Sequence, residues 1–150
     1  MNVPEPETIV AEMAALVRPG GIVALHEADR VTHLCDPPLP AWNRLQEILE
    51  IYSRANQMDS FIGRRIARML REVGLTDVQA RPLIHMYGPG HSRRRIQLQF
   101  VENLYDRILA EGLISESELV ECIEAVERHL DDPNTIVISH LFIQAWGRKG

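Results

Sequence analysis

The 150-residue sequence has few of the features that mark specialised classes of protein. Its two cysteines, Cys35 and Cys122, have no motif spacing, so we expect reduced thiols in a cytoplasmic protein rather than a disulfide framework. It has no apolar run of membrane-spanning length, and its first residues lack the basic and apolar regions of a secretory signal. The formal net charge of -5 disfavours nucleic acid or an anionic membrane as the main partner.

The sequence also lacks the patterns of a metal site and of a phosphate-binding glycine loop. His91, His129 and His140 have no ligand spacing with Cys, Asp or Glu pairs, so we expect no metal. Gly20-Gly21 precedes a predicted strand, whereas Gly88-Pro89-Gly90 follows one but carries a proline and leads into three arginines. No G-x-G segment therefore follows a strand and opens a helix, as a dinucleotide-type loop would.

Helical and strand patterns alternate along the chain, which predicts an α/β fold. Helices are predicted at about 4–18, 41–57, 60–73, 92–110 and 115–130, and strands at 22–25, 78–87 and 135–146. Ser92 and Ser115 are the predicted helix caps, and Gly74 is a predicted left-handed helix end. The apolar run Ile22–Leu25 has no polar alternation, which predicts a strand covered on both faces.

Three segments resemble parts of the class I S-adenosylmethionine-dependent methyltransferases. LVRPGGIVAL (16–25) resembles their fifth strand with the helix before it, LREVGLTDVQARPL (70–83) the start of the sixth, and TIVISHLFIQAWGRK (135–149) the antiparallel seventh. The closest resemblance is to the small-molecule enzymes of menaquinone and ubiquinone biosynthesis. It implies one domain over 1–150: a partial Rossmann-like sheet of about three strands, the last antiparallel, with flanking helices and helical insertions at about 41–58 and 92–130.

The resemblance covers the carboxyl-terminal half of such an enzyme only. The family binds S-adenosylmethionine on a glycine-rich loop that this sequence does not show, so we expect this chain alone not to bind the cofactor. Two functions stay open: the acceptor-binding half of a small-molecule methyltransferase, or a non-catalytic, self-associating remnant or binding module. Both imply a partner, either a second copy in a homodimer or a complementary amino-terminal half, because the strand Ile22–Leu25 would otherwise have an open edge at the centre of a half-sheet.

The carboxyl ends of parallel strands are where an open α/β sheet binds ligands. This rule selects six candidate contacts to the small-molecule acceptor, namely His26, Glu27 and Asp29 after the first strand and His85, Tyr87 and His91 around the end of the second. A histidine among them could accept a proton from a hydroxyl or enol group. The same residues could instead cap loops or line a half-buried strand face, and the sequence identifies no catalytic residue.

Two further features allow alternative interpretations. Arg93-Arg94-Arg95 in the first turn of a helix opposes the helix dipole, which favours an anionic partner or ion pairs with acidic residues between Glu102 and Asp132. Apolar residues of the inserted helices could cover a hydrophobic small molecule or could form a core. They are Trp42, Leu45, Leu49, Tyr52, Leu98, Val101 and Leu104.

Overall fold

The computed structural model describes residues 3–150 as a mixed α/β chain, as the sequence predicts. These residues form two compact units. The first unit contains the described residues up to Thr32, residues 57–84 and residues 140–150. The second unit contains residues 33–56 and 85–139, so it includes both segments that the sequence predicts to be helical insertions.

The first unit is built on a three-stranded sheet. Its strands are β1 (Ile22–Asp29), β3 (Thr76–Leu83) and β6 (Leu141–Arg148), and its α-helices are α1 (Pro6–Leu16) and α3 (Ile66–Glu72). The strand order is β1-β6-β3, and β6 is antiparallel to both neighbours. The carboxyl ends of β1 and β3 therefore lie at the same edge of the sheet as the start of β6.

The helices of the first unit cover one face of this sheet. Val23 and Leu25 of β1 pack with Ala145 of β6 in a core that includes Val10 and Ile66 from the two helices. Ile22 is 53% exposed and Ala24 is also exposed. The prediction that both faces of β1 are covered is therefore wrong, because α1 and α3 pack on the same side of the sheet.

The second unit has its own helices and a smaller sheet. Its α-helices are α2 (Pro40–Ala55), α4 (Ile96–Ala110) and α5 (Glu116–Asp131), and its strands are β2 (Leu34–Asp36), β4 (Met86–Tyr87) and β5 (Ile136–Ile138), in the order β2-β5-β4. Cys35, Tyr87 and Val137 are register partners and are all buried. The apolar residues of α2 and α4 singled out above are buried too, apart from the half-buried Leu104, so they form a core.

Two predicted long strands are each divided between the units. The predicted strand 78–87 is β3 in the first unit and β4 in the second, and the predicted strand 135–146 is β5 in the second unit and β6 in the first. His85 and Ser139 lie at the breaks and are joined by two hydrogen bonds. The Ser139 N–H donates to the His85 carbonyl oxygen, and the His85 N–H donates to the Ser139 hydroxyl. Strand-favouring residues on both sides of each break conceal it from an analysis of the sequence.

The helix ends mostly follow local sequence signals. The Ser115 side chain accepts a hydrogen bond from the Glu118 N–H, as predicted for a helix cap. Gly74 has a φ of +82° at the end of α3, which confirms the left-handed residue predicted there. Ser92 is not a cap, since a short 3₁₀ segment, Ser92–Arg95, precedes α4 and His91 caps it.

Candidate functional site

Three of the predicted site residues lie within β1 rather than after it. The ladder between β1 and β6 continues without interruption to Asp29, so His26, Glu27 and Asp29 are strand residues. Alternation places His26 on the exposed face of the sheet and the other two on the face that bears Val23 and Leu25. The sequence did not show this extension, because charged residues after an apolar run resemble the start of a loop.

The Asp29 side chain is held by hydrogen bonds from two residues of the first unit. Its side chain is 1% exposed, and its two oxygens accept hydrogen bonds from Arg64 at 2.5 Å and 2.8 Å and from the Val31 N–H at 3.1 Å. Burial by itself raises the pKa of the Asp29 carboxyl, but these hydrogen bonds and the Arg64 charge outweigh it and lower the pKa below 3.8. Asp29 therefore stays ionised near neutral pH and anchors the turn after β1.

A cluster of aromatic and imidazole rings lies near the carboxyl end of β1 and the start of β6. The ring of Phe142 makes edge-to-face contacts with His26, at a centroid distance of 5.3 Å, and with His140, at 6.3 Å. Burial and the charge of Arg30 lower the pKa of His140 to about 4, although the charge of Asp29 opposes that change. His140 is hence neutral at physiological pH. The sequence does not indicate His140 as a site residue, because the predicted strand 135–146 runs through it without a break.

The other three predicted site residues lie together in the second unit. Tyr87 is buried and its ring stacks on His91, with a centroid distance of 4.5 Å, and on His85, with a distance of 6.0 Å. Both histidines are exposed. We call these three residues the imidazole–phenol stack. Two flat π-faces are thus presented at the surface around one fixed phenol ring.

The hydrogen bond of His91 decides which of its nitrogens carries a proton. Nδ1 accepts from the Arg93 N–H at 3.2 Å, so in the neutral ring the proton is on Nε2. His91 therefore offers a donor to a ligand at Nε2.

The three consecutive arginines have different environments. Arg94 is buried and donates to two carbonyl oxygens, those of Asp132 at the carboxyl-terminal end of α5, where the helix dipole is negative, and of Thr135 just before β5. Arg95 forms an ion pair with Glu127 at 2.5 Å. Arg93 is exposed. Internal acceptors thus engage Arg94 and Arg95, and Arg95 confirms the predicted ion pairing with the acidic segment.

The two glycines after β4, Gly88 and Gly90, lie in open surroundings. A Cβ added at Gly88 or Gly90 would meet no atom within 4 Å, and the chain continues into a four-residue 3₁₀ segment rather than an α-helix. Within residues 3–150 no three His, Cys, Asp or Glu side chains are grouped as metal ligands. The helices among these residues include none that is both long and apolar enough to span a membrane.

Comparison with known proteins supports the family named by the sequence segments. No protein-family model matches the chain. The demethylmenaquinone methyltransferase of Halalkalibacterium halodurans is 32% identical over 99 residues, which cover 54% of this chain and 38% of that enzyme. The chain therefore matches well under half of the length of this curated relative.

A solved structure with a similar fold is a phosphoethanolamine N-methyltransferase 2 of Haemonchus contortus, in complex with phosphomonomethylethanolamine and S-adenosylhomocysteine. The match covers 98% of this chain and 30% of the solved chain, with a TM-score of 0.44 and 14% sequence identity. The 32% identity to the demethylmenaquinone methyltransferase confirms the resemblance to methyltransferases, as a partial relationship.

Proposed function

We propose that this chain is the acceptor-binding half of an S-adenosylmethionine-dependent small-molecule methyltransferase. The observation that carries the proposal is the 32% identity to a demethylmenaquinone methyltransferase over 99 residues. The sheet order β1-β6-β3, with an antiparallel strand between two parallel ones, supports it. Both cysteines are free and buried, which supports a reducing, cytoplasmic compartment.

The imidazole–phenol stack is the proposed contact surface for the acceptor. A planar acceptor ring can stack on the exposed face of His85 or His91 while Tyr87 holds both imidazoles in place. The His91 Nε2–H can donate to an oxygen of the methyl acceptor, because Nδ1 already accepts from the Arg93 N–H. A demethylmenaquinol-like ring, the acceptor class suggested by the relative's name, has the flat shape and oxygen substituents that such a surface recognises.

Three residues of β1 are also part of the proposal. His26 and Glu27 of the first unit are proposed acceptor contacts on the ground of that unit alone, since they lie at the carboxyl end of a strand that is parallel to β3. Asp29 acts through Arg64 and the Val31 N–H, and is a positioning residue for the turn after β1.

The cofactor-binding part is proposed to come from a complementary amino-terminal half or another polypeptide. When bound, S-adenosylmethionine supplies an electrophilic methyl group on a sulfonium. The residues of this chain would bind and orient the acceptor, and the other part would hold the cofactor. We therefore expect the chain alone to bind an acceptor ring but not S-adenosylmethionine.

Calorimetry and a binding titration test this division of roles. A soluble short-chain demethylmenaquinol analogue should bind the wild-type chain, and His85→Ala should weaken binding by up to about tenfold, the worth of one stacked ring pair. The matched control is His129→Ala, a histidine of the same unit that donates to the Pro37 carbonyl and lies outside the stack. S-adenosylmethionine should give no heat with the chain alone.

Each outcome discriminates between the hypotheses. Micromolar binding of S-adenosylmethionine by this chain would overturn the assignment of the cofactor to another half. Absence of acceptor binding, or equal weakening by His85→Ala and His129→Ala, would overturn the acceptor surface and favour a non-catalytic binding module.

A further inference from the structure

One edge of the sheet in the first unit is unpaired. β1 pairs with β6 along all eight of its residues, from Ile22 to Asp29, without a register shift. Among residues 3–150, β6 is the single strand that pairs with β1. The other side of β1 therefore presents main-chain amides and carbonyls that a further strand can bond.

The opposite edge strand, β3, carries features that prevent such pairing. It contains Pro82, and its register shifts between Thr76 and Gln79 around Asp77, which has a φ of +50°. Proline and bulges are devices by which natural sheets block their edges. β1 has neither, and it has no lysine, since the only lysine of the sequence is Lys149. The two edges of one sheet thus differ, and only β1 is suited to pairing.

The charges of β1 favour one direction of pairing. Both carboxylates, Glu27 and Asp29, lie at its carboxyl-terminal end, whereas Ile22–Leu25 is uncharged. A parallel mate would place identical carboxylates side by side, which is unfavourable. An antiparallel mate places the acidic end of one strand against the uncharged end of the other.

The 3₁₀ turn Ile62–Arg65 limits the part of β1 that can pair. A Cβ added at Gly63 would lie 3.0 Å from the carbonyl oxygens of Glu27 and Ala28, so this turn packs closely on the end of the strand. The accessible part is Ile22–His26, whose middle residue is Ala24. Antiparallel pairing about that residue sets Ile22, which is 53% exposed, opposite His26 of the second copy.

We propose that two copies of this chain pair through β1, antiparallel and about a two-fold axis at Ala24, to form a continuous six-stranded sheet. A two-fold axis at the strand centre makes the interface self-complementary. The inference goes beyond the proposed function, because it concerns the strand edge of this chain alone and not acceptor binding. A complementary amino-terminal half that supplied a strand to β1 would displace the second copy.

The mass in solution tests the proposal. Light scattering should give twice 17.1 kDa, about 34 kDa, for the wild type at micromolar concentration. Ala24→Lys should halve that mass, because two like charges would face each other across the axis. Gln79→Lys is the matched control: Gln79 and Ala24 flank the same residue of β6, Trp146, from opposite edges. Circular dichroism establishes that both variants are folded.

A disulfide trap tests the register. Residues opposite each other in an antiparallel pair have Cα atoms about 4.5–5.5 Å apart, which a disulfide can span. Ala24→Cys should therefore form a cross-linked dimer under oxidation, and Gln79→Cys should not; the native cysteines are buried. A monomeric wild type, equal masses for the two lysine variants, or a dimer that Ala24→Cys fails to cross-link would each overturn the proposed interface.

Discussion

At the scale of single residues, two titratable groups near the end of β1 show how neighbours decide the effect of burial. Burial raises the pKa of Asp29, yet the Arg64 guanidinium and the Val31 N–H bind its oxygens and lower the pKa overall. His140 is half-buried near the charge of Arg30, and its desolvation and that charge both lower its pKa. Asp29 is thus kept charged by its hydrogen bonds and by Arg64, whereas His140 is kept neutral mainly by desolvation, with a further contribution from Arg30.

The His140 imidazole makes stability depend on pH. Its pKa is about 4 in the folded chain and 6.5 in the unfolded one, so between these values the unfolded chain binds the extra proton. Above pH 6.5 the imidazole is neutral in both states, and its titration costs no stability. As the pH falls from 6.5 towards 4, the free energy of unfolding decreases by up to about 3 kcal/mol. Urea unfolding at several pH values should show this loss, and His140→Gln should reduce it. Equal slopes for the two proteins would contradict the assignment to His140.

At the scale of elements, the 3₁₀ turn Ile62–Arg65 fixes the end of β1. Ile62 and Gly63 are both buried, and Arg64 reaches from the turn to Asp29. The backbone of the turn approaches the carbonyls of Glu27 and Ala28 so closely that a Cβ at Gly63 would lie 3.0 Å from main-chain atoms, and the turn or the strand would have to shift to accept it. Glycine is needed here for close approach, not for an unusual φ.

Gly63→Ala should lower the free energy of unfolding by about 1–3 kcal/mol, the cost of forcing a methyl group into a packed site whose neighbours are main-chain atoms. Gly88→Ala is the matched control, because a Cβ at Gly88 meets no atom within 4 Å and its φ is not positive. Chemical denaturation of both variants measures the difference. Similar stabilities of the two variants would show that the turn can move away from β1.

At the scale of the whole molecule, the chain makes two units, each with its own sheet. The first unit has an edge strand without protection and a sheet face that carries Ala24, His26 and the rings of Phe142 and Trp146. The proposed self-association through that edge would link stability to concentration, since mass action favours a folded dimer.

The thermal midpoint of unfolding should therefore rise with protein concentration for the wild type and for Gln79→Lys. Ala24→Lys should have a midpoint that does not change with concentration, because its β1 edges repel each other. Differential scanning calorimetry over a range of concentrations gives this comparison. A concentration-independent midpoint for the wild type would contradict a folded dimer.

The sequence by itself determined the element types, most helix ends and the partial resemblance to methyltransferases, because these depend on local periodicity, capping residues and segment order. Ser115 and Gly74 act as their local sequence indicates. Tertiary structure alone decided that the runs 78–87 and 135–146 each divide between two units, since both halves of each run favour a strand. It likewise decided that His91 stacks on Tyr87 and that Arg64 reaches Asp29, contacts that no strand or helix spacing encodes, whereas the alternate positions of His85 and Tyr87 already favour one strand face.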